Sequence, residues 1–274
     1  MRYHAAVMCH IGHIRKNNED NYYCNGKVRQ DLNEPVTTAC ARGSARKTLF
    51  AVADGMGGGA NGEIASSYTV SSLQPAVLSQ VQACAQASIR AANDKICSHI
   101  RNAACGSMGS TLAALYLDGD TAIGCNVGDS RIYLHRSCYL RQISTDHTTA
   151  QMLVNMGALS PEQARSHPGR RVLRQHIGIF EEELTIMPSF TDPIALQHGD
   201  VFLLCSDGLT DMIADEQISR ILDGDGSAEE LAEALIQQAL DQGGKDNVTA
   251  LVVKIQNKKW FECFKQKKRC HHGE

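Results

Sequence analysis

Hydrophobic positions along the chain follow two periods. Short runs such as Leu49-Phe50-Ala51-Val52-Ala53, Val201-Phe202-Leu203-Leu204-Cys205 and Val248-Thr249-Ala250-Leu251-Val252-Val253 are almost wholly apolar and rich in β-branched residues. Their length and make-up predict buried strands. Between about 85 and 104 the period changes: Ile89, Ala92, Ile96 and Ile100 recur at helical spacing and predict a helix with one core-facing stripe. Residues 110–117 and 121–127 read as strands joined by the hairpin turn Asp118-Gly119-Asp120, and Arg131-Ile132-Tyr133-Leu134 continues the meander. Residues 1–23 predict a first strand and the start of a second. Further helices are predicted near 62–73, 148–157, 161–166, 216–222 and 228–240, and a further strand near 183–188. The polar connection 25–47 holds Gly26, Pro35, Gly43 and five basic residues, and is expected to be an exposed loop or extended hairpin.

Strands in consecutive hairpins, with helices arriving in pairs, predict an α/β sandwich of the α+β type: two mostly antiparallel β-sheets flanked by paired helices. A doubly wound parallel sheet is disfavoured because strand and helix do not alternate. No internal repeat and no linker divides the body. One domain is expected over 1–256, followed by a tail over 257–274.

Composition changes this picture little. The 274 residues are 43% hydrophobic and 21% charged, as for an ordinary globular chain, and a net charge of -3 offers no basic field for nucleic acid. No apolar stretch approaches the roughly 18 to 20 residues that span a bilayer, and the N-terminus lacks a signal-peptide core, so a cytoplasmic protein is expected. The eleven cysteines are odd in number and form no Cys-x-x-Cys pair; reduced, buried thiols are the plain reading. The last seventeen residues depart from this balance, with six basic residues beside Trp260, Phe261 and Phe264. A solvated terminus is the plain expectation there, and weak contact with an anionic membrane surface the sharper one.

The chemistry is carried by acidic motifs at the edges of the apolar runs: Asn18-Glu19-Asp20, Asp54-Gly55-Met56-Gly57-Gly58, Ser206-Asp207-Gly208 and Asp246-Asn247. A single Asp-Gly is more often a turn than a ligand. Four acidic motifs flanking strands can converge at one end of the sheet core, where unpaired carboxylates would cost several kcal/mol each. Divalent cations relieve that cost. Carboxylates with a backbone carbonyl suit magnesium or manganese rather than zinc. Asp54 can bridge two metals while Gly55 lets its carbonyl approach one of them. Two hard cations a few Å apart activate a water and clamp a phosphoryl oxygen, and Arg15 would supply a bidentate anion grip.

The stretches Gly12-His13-Ile14-Arg15-Lys16-Asn17-Asn18-Glu19-Asp20, Val52-Ala53-Asp54-Gly55-Met56-Gly57-Gly58, Gly109-Ser110-Thr111, Asn126-Val127-Gly128-Asp129-Ser130-Arg131, Ser206-Asp207-Gly208-Leu209 and Lys245-Asp246-Asn247-Val248-Thr249 occur in that order across nearly the whole chain. Together they resemble the successive motifs of the PPM family, the metal-dependent type 2C protein serine/threonine phosphatases, and most of all its compact bacterial branch. The resemblance implies two or three manganese or magnesium ions. Asp54 would bridge two of them, with the Gly55 carbonyl on one. Asp207 and Asp246 would hold the first metal, and Glu19 and Asp20 would serve the second directly or through water. Asp129 would join Asp207 on a third, weaker metal, Arg15 would grip phosphate, and residues 148–171 would form the variable flap. The implied activity is hydrolysis of phosphoserine and phosphothreonine by a metal-bridging hydroxide, with phosphorylated proteins as substrates, an opposing serine/threonine kinase and a monomeric enzyme. Met56 departs from the animal enzymes, which carry a histidine proposed as general acid there; leaving-group protonation would then come from metal-bound water or another residue, with His167 in the flap a weak candidate.

Competing readings are weaker. The G-x-G-x-x-G fit of Gly57-Gly58-Gly59-Ala60-Asn61-Gly62 lacks the acidic residue about 20 positions on that a dinucleotide ribose needs. Cys125 to Arg131 has the C-x5-R spacing of cysteine phosphatases, yet Asp129 lies inside the loop and a strand follows. Asp118-Gly119-Asp120 could suggest an aspartate nucleophile but fits a turn better. Turnover of small phosphate esters on the same site, or a binding domain without turnover, are the alternative functions.

Overall fold

The computed structural model describes residues 1–57, 61–103 and 106–257. Its strands in chain order are β1 (Arg2–His10), β2 (Asp20–Cys24), β3 (Lys27–Val28), β4 (Val36–Ser44), β5 (Thr48–Gly57), β6 (Met108–Ser110) and β7 (Leu112–Asp118). There follow β8 (Thr121–Val127), β9 (Arg131–Arg136), β10 (Tyr139–Gln142), β11 (Ser189–Phe190), β12 (Ile194–Ala195), β13 (Val201–Cys205) and β14 (Val248–Gln256). The helices are α1 (Gly62–Ser71), α2 (Val81–Ala103), α3 (Thr149–Asn155), α4 (Pro161–Ser166), α5 (Asp207–Thr210), α6 (Asp215–Leu222) and α7 (Ala228–Asp241). One sheet runs β10-β9-β13-β14-β1-β4 and the other β11-β8-β7-β5-β2-β3, with β12 on β8 and β6 on β5. Every pairing is antiparallel, as the hairpin reading predicted.

The unbroken apolar runs are explained by burial on both faces. Side chains alternate across a strand, so one run lines two cores. In β13, Phe202 and Leu204 enter the core between the sheets, while Val201, Leu203 and Cys205 meet the layer that contains Leu231, Leu235 and Ala239 of α7. In β5, Phe50 and Val52 face the inter-sheet core, and Leu49 and Ala51 face Ile89, Ala92 and Ile96 of α2. Helices therefore cover both outer faces of a two-sheet sandwich. Each fully buried Leu, Ile or Phe contributes about 1.5–3 kcal/mol, so this layering holds the strand ends that carry the acidic motifs.

Three expectations need correction. The connection 25–47 is not one loop: Val36–Ser44 forms β4, which pairs along its whole length with β1. Its run Val-Thr-Thr-Ala-Cys-Ala-Arg-Gly-Ser lacks large apolar residues because an edge strand, exposed at alternate positions, needs few. No strand covers 183–188; pairing to β8 begins at Ser189, after Pro188, which has no N–H to give a ladder. The long helix begins at Val81 rather than near 85, because Val81 already packs in the core. The hairpin at Asp118-Gly119-Asp120, helix 161–166 and the strand over 201–205 stand where they were predicted. All described cysteines are free. Among the described residues no helix is long and apolar enough to cross a membrane. The basic tail from Lys258 onward lies outside the described residues.

Candidate metal centre

Strand order brings the acidic motifs to one end of the sandwich. Asp20 opens β2 and pairs across the ladder with Asp54 of β5, so the two carboxylates share one edge. In the facing sheet β13 runs into Ser206-Asp207, and Asp246-Asn247 leads into β14, with Cys205 opposite Ala250. The β8–β9 turn brings Asp129 to the same end.

Asp20 ties the two sheets together. Its Oδ2 accepts hydrogen bonds from Ser206 Oγ and Thr249 Oγ1, each at 2.7 Å. Its Oδ1 is buried and has no partner among the described residues. An orphaned carboxylate oxygen costs free energy unless a cation or water meets it. Burial raises Asp20 to about 7, against the pull of Ser206 and Thr249, with Asp207 and Asp246 pushing it further up.

Asp54 lies at the centre of this field. Burial, then the charges of Asp20, Asp207, Asp129 and Asp246, hold its carboxyl well above the usual range. Burial and the neighbouring Asp211 and Asp246 charges raise Asp207 to about 6, with its contact to Asp54 and the Arg171 charge pulling the other way. Asp129 is raised to about 8 by burial, Asp207 and Asp146. Unlike Asp20, these three keep some surface open to solvent. Glu19 is raised by burial and by Glu63, offset in part by the Arg15 charge and then by the Gly62 N–H.

The backbone of Asp54 is held by Thr111, whose Oγ1 accepts from Asp54 N–H at 3.0 Å and whose own N–H donates to the Asp54 carbonyl at 2.8 Å. Thr111 Oγ1 also lies 2.6 Å from Ser130 Oγ, which links Asp54 to the Gly128-Asp129-Ser130 turn. Glycine is required at two points. A Cβ on Gly55 would lie 2.0 Å from the Gly62 carbonyl oxygen, and one on Gly208 1.9 Å from that of Asn247.

Arg15 reaches the same rim. Its Nη2 donates to Asp246 Oδ2 at 2.6 Å, while half of its side chain stays exposed. That hydrogen bond, with attraction from Asp246, Glu19 and Asp54, holds the guanidinium more firmly charged. Residues 148–171 form α3, α4 and a further turn, which Arg170 and Arg171 pin to Asp211 just beyond α5. A cavity of about 530 Å³ lies between this segment and α5–α6, with Asp129 and Asp207 in its wall. His167, the weak candidate acid, caps a local turn by accepting from Gly169 N–H at 3.0 Å.

Several supporting residues were not singled out from the sequence. Asn247 accepts from Glu19 N–H and donates to the Ile11 and Asn17 carbonyls, fastening the N-terminal motif to β14. Ser206, Thr249, Thr111 and Arg29 act in similar ways. Ser206, Thr249, Thr111 and Asn247 lie inside the acidic or short polar motifs, which is where they could have been found; Arg29 carried no such signal.

The donors fit a hard cation: carboxylates, a carbonyl that only glycine permits, and an orphaned buried oxygen. Among the described residues no three His, Cys, Asp or Glu side chains enclose one point as they stand. A magnesium-like ion is commonly held by one or two carboxylates with several waters, so the open pit suits it better than a closed cage would.

Comparison with known proteins agrees with this chemistry. The family model described as Protein phosphatase 2C matches residues 23–252. The chain belongs to the protein phosphatase 2C family. It is 32% identical over 259 residues to the serine/threonine phosphatase stp of Listeria monocytogenes, covering 91% of this chain and 95% of that one. The crystal structure of the Mycobacterium tuberculosis serine/threonine phosphatase PstP superposes with a TM-score of 0.78 at 33% identity, covering 94% of this chain and all of that one. The catalytic domain of PstP in complex with two manganese ions gives a TM-score of 0.73 at 30% identity, again over 94% of this chain and 100% of the other. This protein phosphatase 2C is accordingly a metal-dependent protein serine/threonine phosphatase that uses manganese or magnesium and acts on phosphoproteins.

Proposed function

We propose that Asp54, Gly55, Asp207 and Asp246, with Glu19 and Asp20, hold two manganese or magnesium ions, that Asp129 and Asp207 hold a third more weakly, and that Arg15 grips the phosphate. The observation that carries the assignment is the gathering of Asp20, Asp129, Asp207 and Asp246 charges on Asp54, with the Arg15 guanidinium bonded to Asp246 at the exposed rim. Bound metal would supply the positive charge that activates water and neutralises phosphoryl oxygens.

The chain's own residues do the rest. Asp54, anchored by Thr111, and Asp207, at the start of α5, fix the donors on rigid elements. Arg15 has N–H groups beyond the Asp246 bond with which to meet a phosphoryl oxygen, and a planar guanidinium suits that contact. Water adds to phosphorus, the phosphorus–oxygen ester bond breaks, and the departing serine or threonine alkoxide takes up the proton that the water gives up, with no covalent phosphoenzyme. Met56 offers no proton to that alkoxide. The cavity beside 148–171 gives flanking peptide a wall next to Asp129 and Asp207, which supports reading that segment as the flap. Cys125 is buried and pushed up to about 12 by burial, which argues against a thiolate nucleophile.

The phosphatase domain is assigned to 1–256, where β14 ends, and the protein is taken as a monomer opposing a serine/threonine kinase. Its described cysteines, free and mostly buried, favour a reducing cytoplasm. Membrane contact by the tail is kept as the weaker part of this reading.

The test is turnover of a phosphothreonine peptide, a phosphotyrosine peptide and small esters after chelation, with and without manganese. Metal-dependent turnover of the phosphothreonine peptide, lost in folded Asp54→Ala, is expected. Activity on small esters alone, or activity that survives chelation, overturns the assignment.

A further inference from the structure

Arg29 is 2% exposed and forms no ion pair among the described residues, yet its guanidinium is almost fully engaged. Nη1 donates to the Asn18 carbonyl at 2.6 Å and to the Asp20 carbonyl at 2.9 Å, on either side of Glu19. Nη2 donates to the carbonyls of Leu32 and, at 3.2 Å, of Glu34. Arg29 N–H donates to Asn21 Oδ1, and Asn21 Nδ2 donates back to the Arg29 carbonyl. One buried cation thus joins the connection after β3 to the turn that carries two metal donors.

Burying a guanidinium without a carboxylate beside it is costly unless nearby dipoles and negative charge compensate. Four carbonyls supply the dipoles. The Glu19 peptide is held on every side as a result. Arg29 takes the carbonyls before and after it, the Asn247 side chain takes its N–H at 2.8 Å, and Gly55 N–H donates to its carbonyl at 3.1 Å. Partners behind the ligands orient them, and their loss typically weakens metal binding about 10- to 100-fold.

We propose that Arg29 is a positioning residue for the metal centre, setting the affinity of the Glu19–Asp20 side for its cation through the two carbonyls that flank Glu19. The inference rests on the assignment of Glu19 and Asp20 as metal donors. It also gives the 25–35 connection a role, since Leu32 and Glu34 hold the guanidinium in place. Arginine is required for its fork: a lysine ammonium is a point charge that does not span all four carbonyls.

The experiment titrates manganese into chelator-treated full-length wild type, Arg29→Met, Arg29→Lys and Asp20→Asn, reading the thermal shift and peptide turnover. Arg29→Met is expected to need about tenfold or more manganese for half of the thermal shift and for half-maximal turnover. Its kcat at saturating manganese should return to within about threefold of wild type, with KM for the peptide unchanged, because Arg29 touches no substrate. Arg29→Lys should fall between the two. A lowered melting temperature with wild-type manganese half-saturation would make Arg29 a structural brace and overturn the proposal. Should Arg29→Met fail to fold, Arg29→Lys decides by the same two outcomes. A changed half-saturation in Asp20→Asn with none in the Arg29 variants overturns the Arg29 inference alone. No change in Asp20→Asn overturns the donor assignment and the inference with it.

Discussion

Two sets of aspartates in this molecule are withdrawn from water and treated in opposite ways. Asp200, 1% exposed, accepts from Arg136 Nε at 2.7 Å and Nη2 at 2.8 Å, and from Gln197 N–H at 2.7 Å. Asp146 is likewise held bidentately by Arg131. Both are closed, paired sites. Asp20 and Asp54, on β2 and β5 of the other sheet, have hydroxyl and backbone partners but, among the described residues, no basic side chain bonded to their carboxyl groups, and Asp20 Oδ1 has no partner there. The difference is one of available lone pairs: a carboxylate paired with arginine has its oxygens engaged, whereas an unpaired one keeps them free to meet a ligand. Arg15 and Asp246 stand between the two types, paired but at an exposed rim.

The largest effect that separates these classes is on turnover. Asp54→Ala and Asp207→Ala should lower kcat/KM on a phosphothreonine peptide by about a thousandfold or more, equivalent to roughly 4 kcal/mol of barrier. Asp200→Asn should leave kcat/KM nearly unchanged in the folded fraction, and Cys125→Ser should as well. Full loss in folded Cys125→Ser would instead point to a thiolate nucleophile.

Stability should respond in the opposite sense. Asp200→Ala strands the Arg136 guanidinium and is expected to cost about 2–3 kcal/mol in urea unfolding, the lower part of the range for a broken buried pair because Arg136 is partly exposed. Asp20→Asn in chelator should cost nothing or add stability, since it removes a crowded charge. A loss in Asp20→Asn as large as in Asp200→Ala would erase the distinction.

The pH dependence of the chelated protein is a third way to sharpen it. Folded pKa values of about 7, 8 and 6 for Asp20, Asp129 and Asp207 lie above the unfolded value near 3.9, so the folded state binds more protons between roughly pH 4 and 8. The stability these groups contribute should therefore be fully present below about pH 4 and be lost as pH rises from there through 6 to 8, by several kcal/mol in sum at about 1.4 kcal/mol per unit of raised pKa for each group. Saturating manganese should flatten that slope. A chelated protein whose melting temperature is level from pH 5 to 8 would contradict the unpaired state of the cluster.

The smallest effect concerns Asp129. Asp129→Asn should lower kcat on phosphoserine by about tenfold and less on a nitrophenyl ester, whose leaving group needs little acid help. An equal loss on both, with a lower melting temperature, would assign Asp129 to the β8–β9 turn alone.

Much of the sandwich was legible because strands buried on both faces are unbroken apolar runs, and period 2 against period 3.6 separates them from α2 and α7. The edge elements were not: β4 has small residues and β10 four residues, and both owe their conformation to a neighbour's ladder. The expected strand at 183–188 failed for the converse reason, since an alternating run with Leu184 and Met187 exposed finds no partner strand there. That Asp54, Asp207 and Asp246 would meet at one end of the sheets was legible from acidic residues at strand ends; their part in binding metal is the proposal made above.

What the sequence determined by itself was the type and order of the candidate donors: hard oxygen groups at the ends of runs that have to be buried, and glycines where a Cβ has no room. Which buried aspartates are paired and which are left open was decided by the tertiary structure. Asp20 and Asp200 are the same residue type beside similar strands, and only strand order places Arg136 against one and Ser206 and Thr249 against the other. Arg29 was undecidable along the chain for the same reason. Its partners are backbone carbonyls, which every residue carries, so no side-chain pattern marks them until folding brings them to one guanidinium.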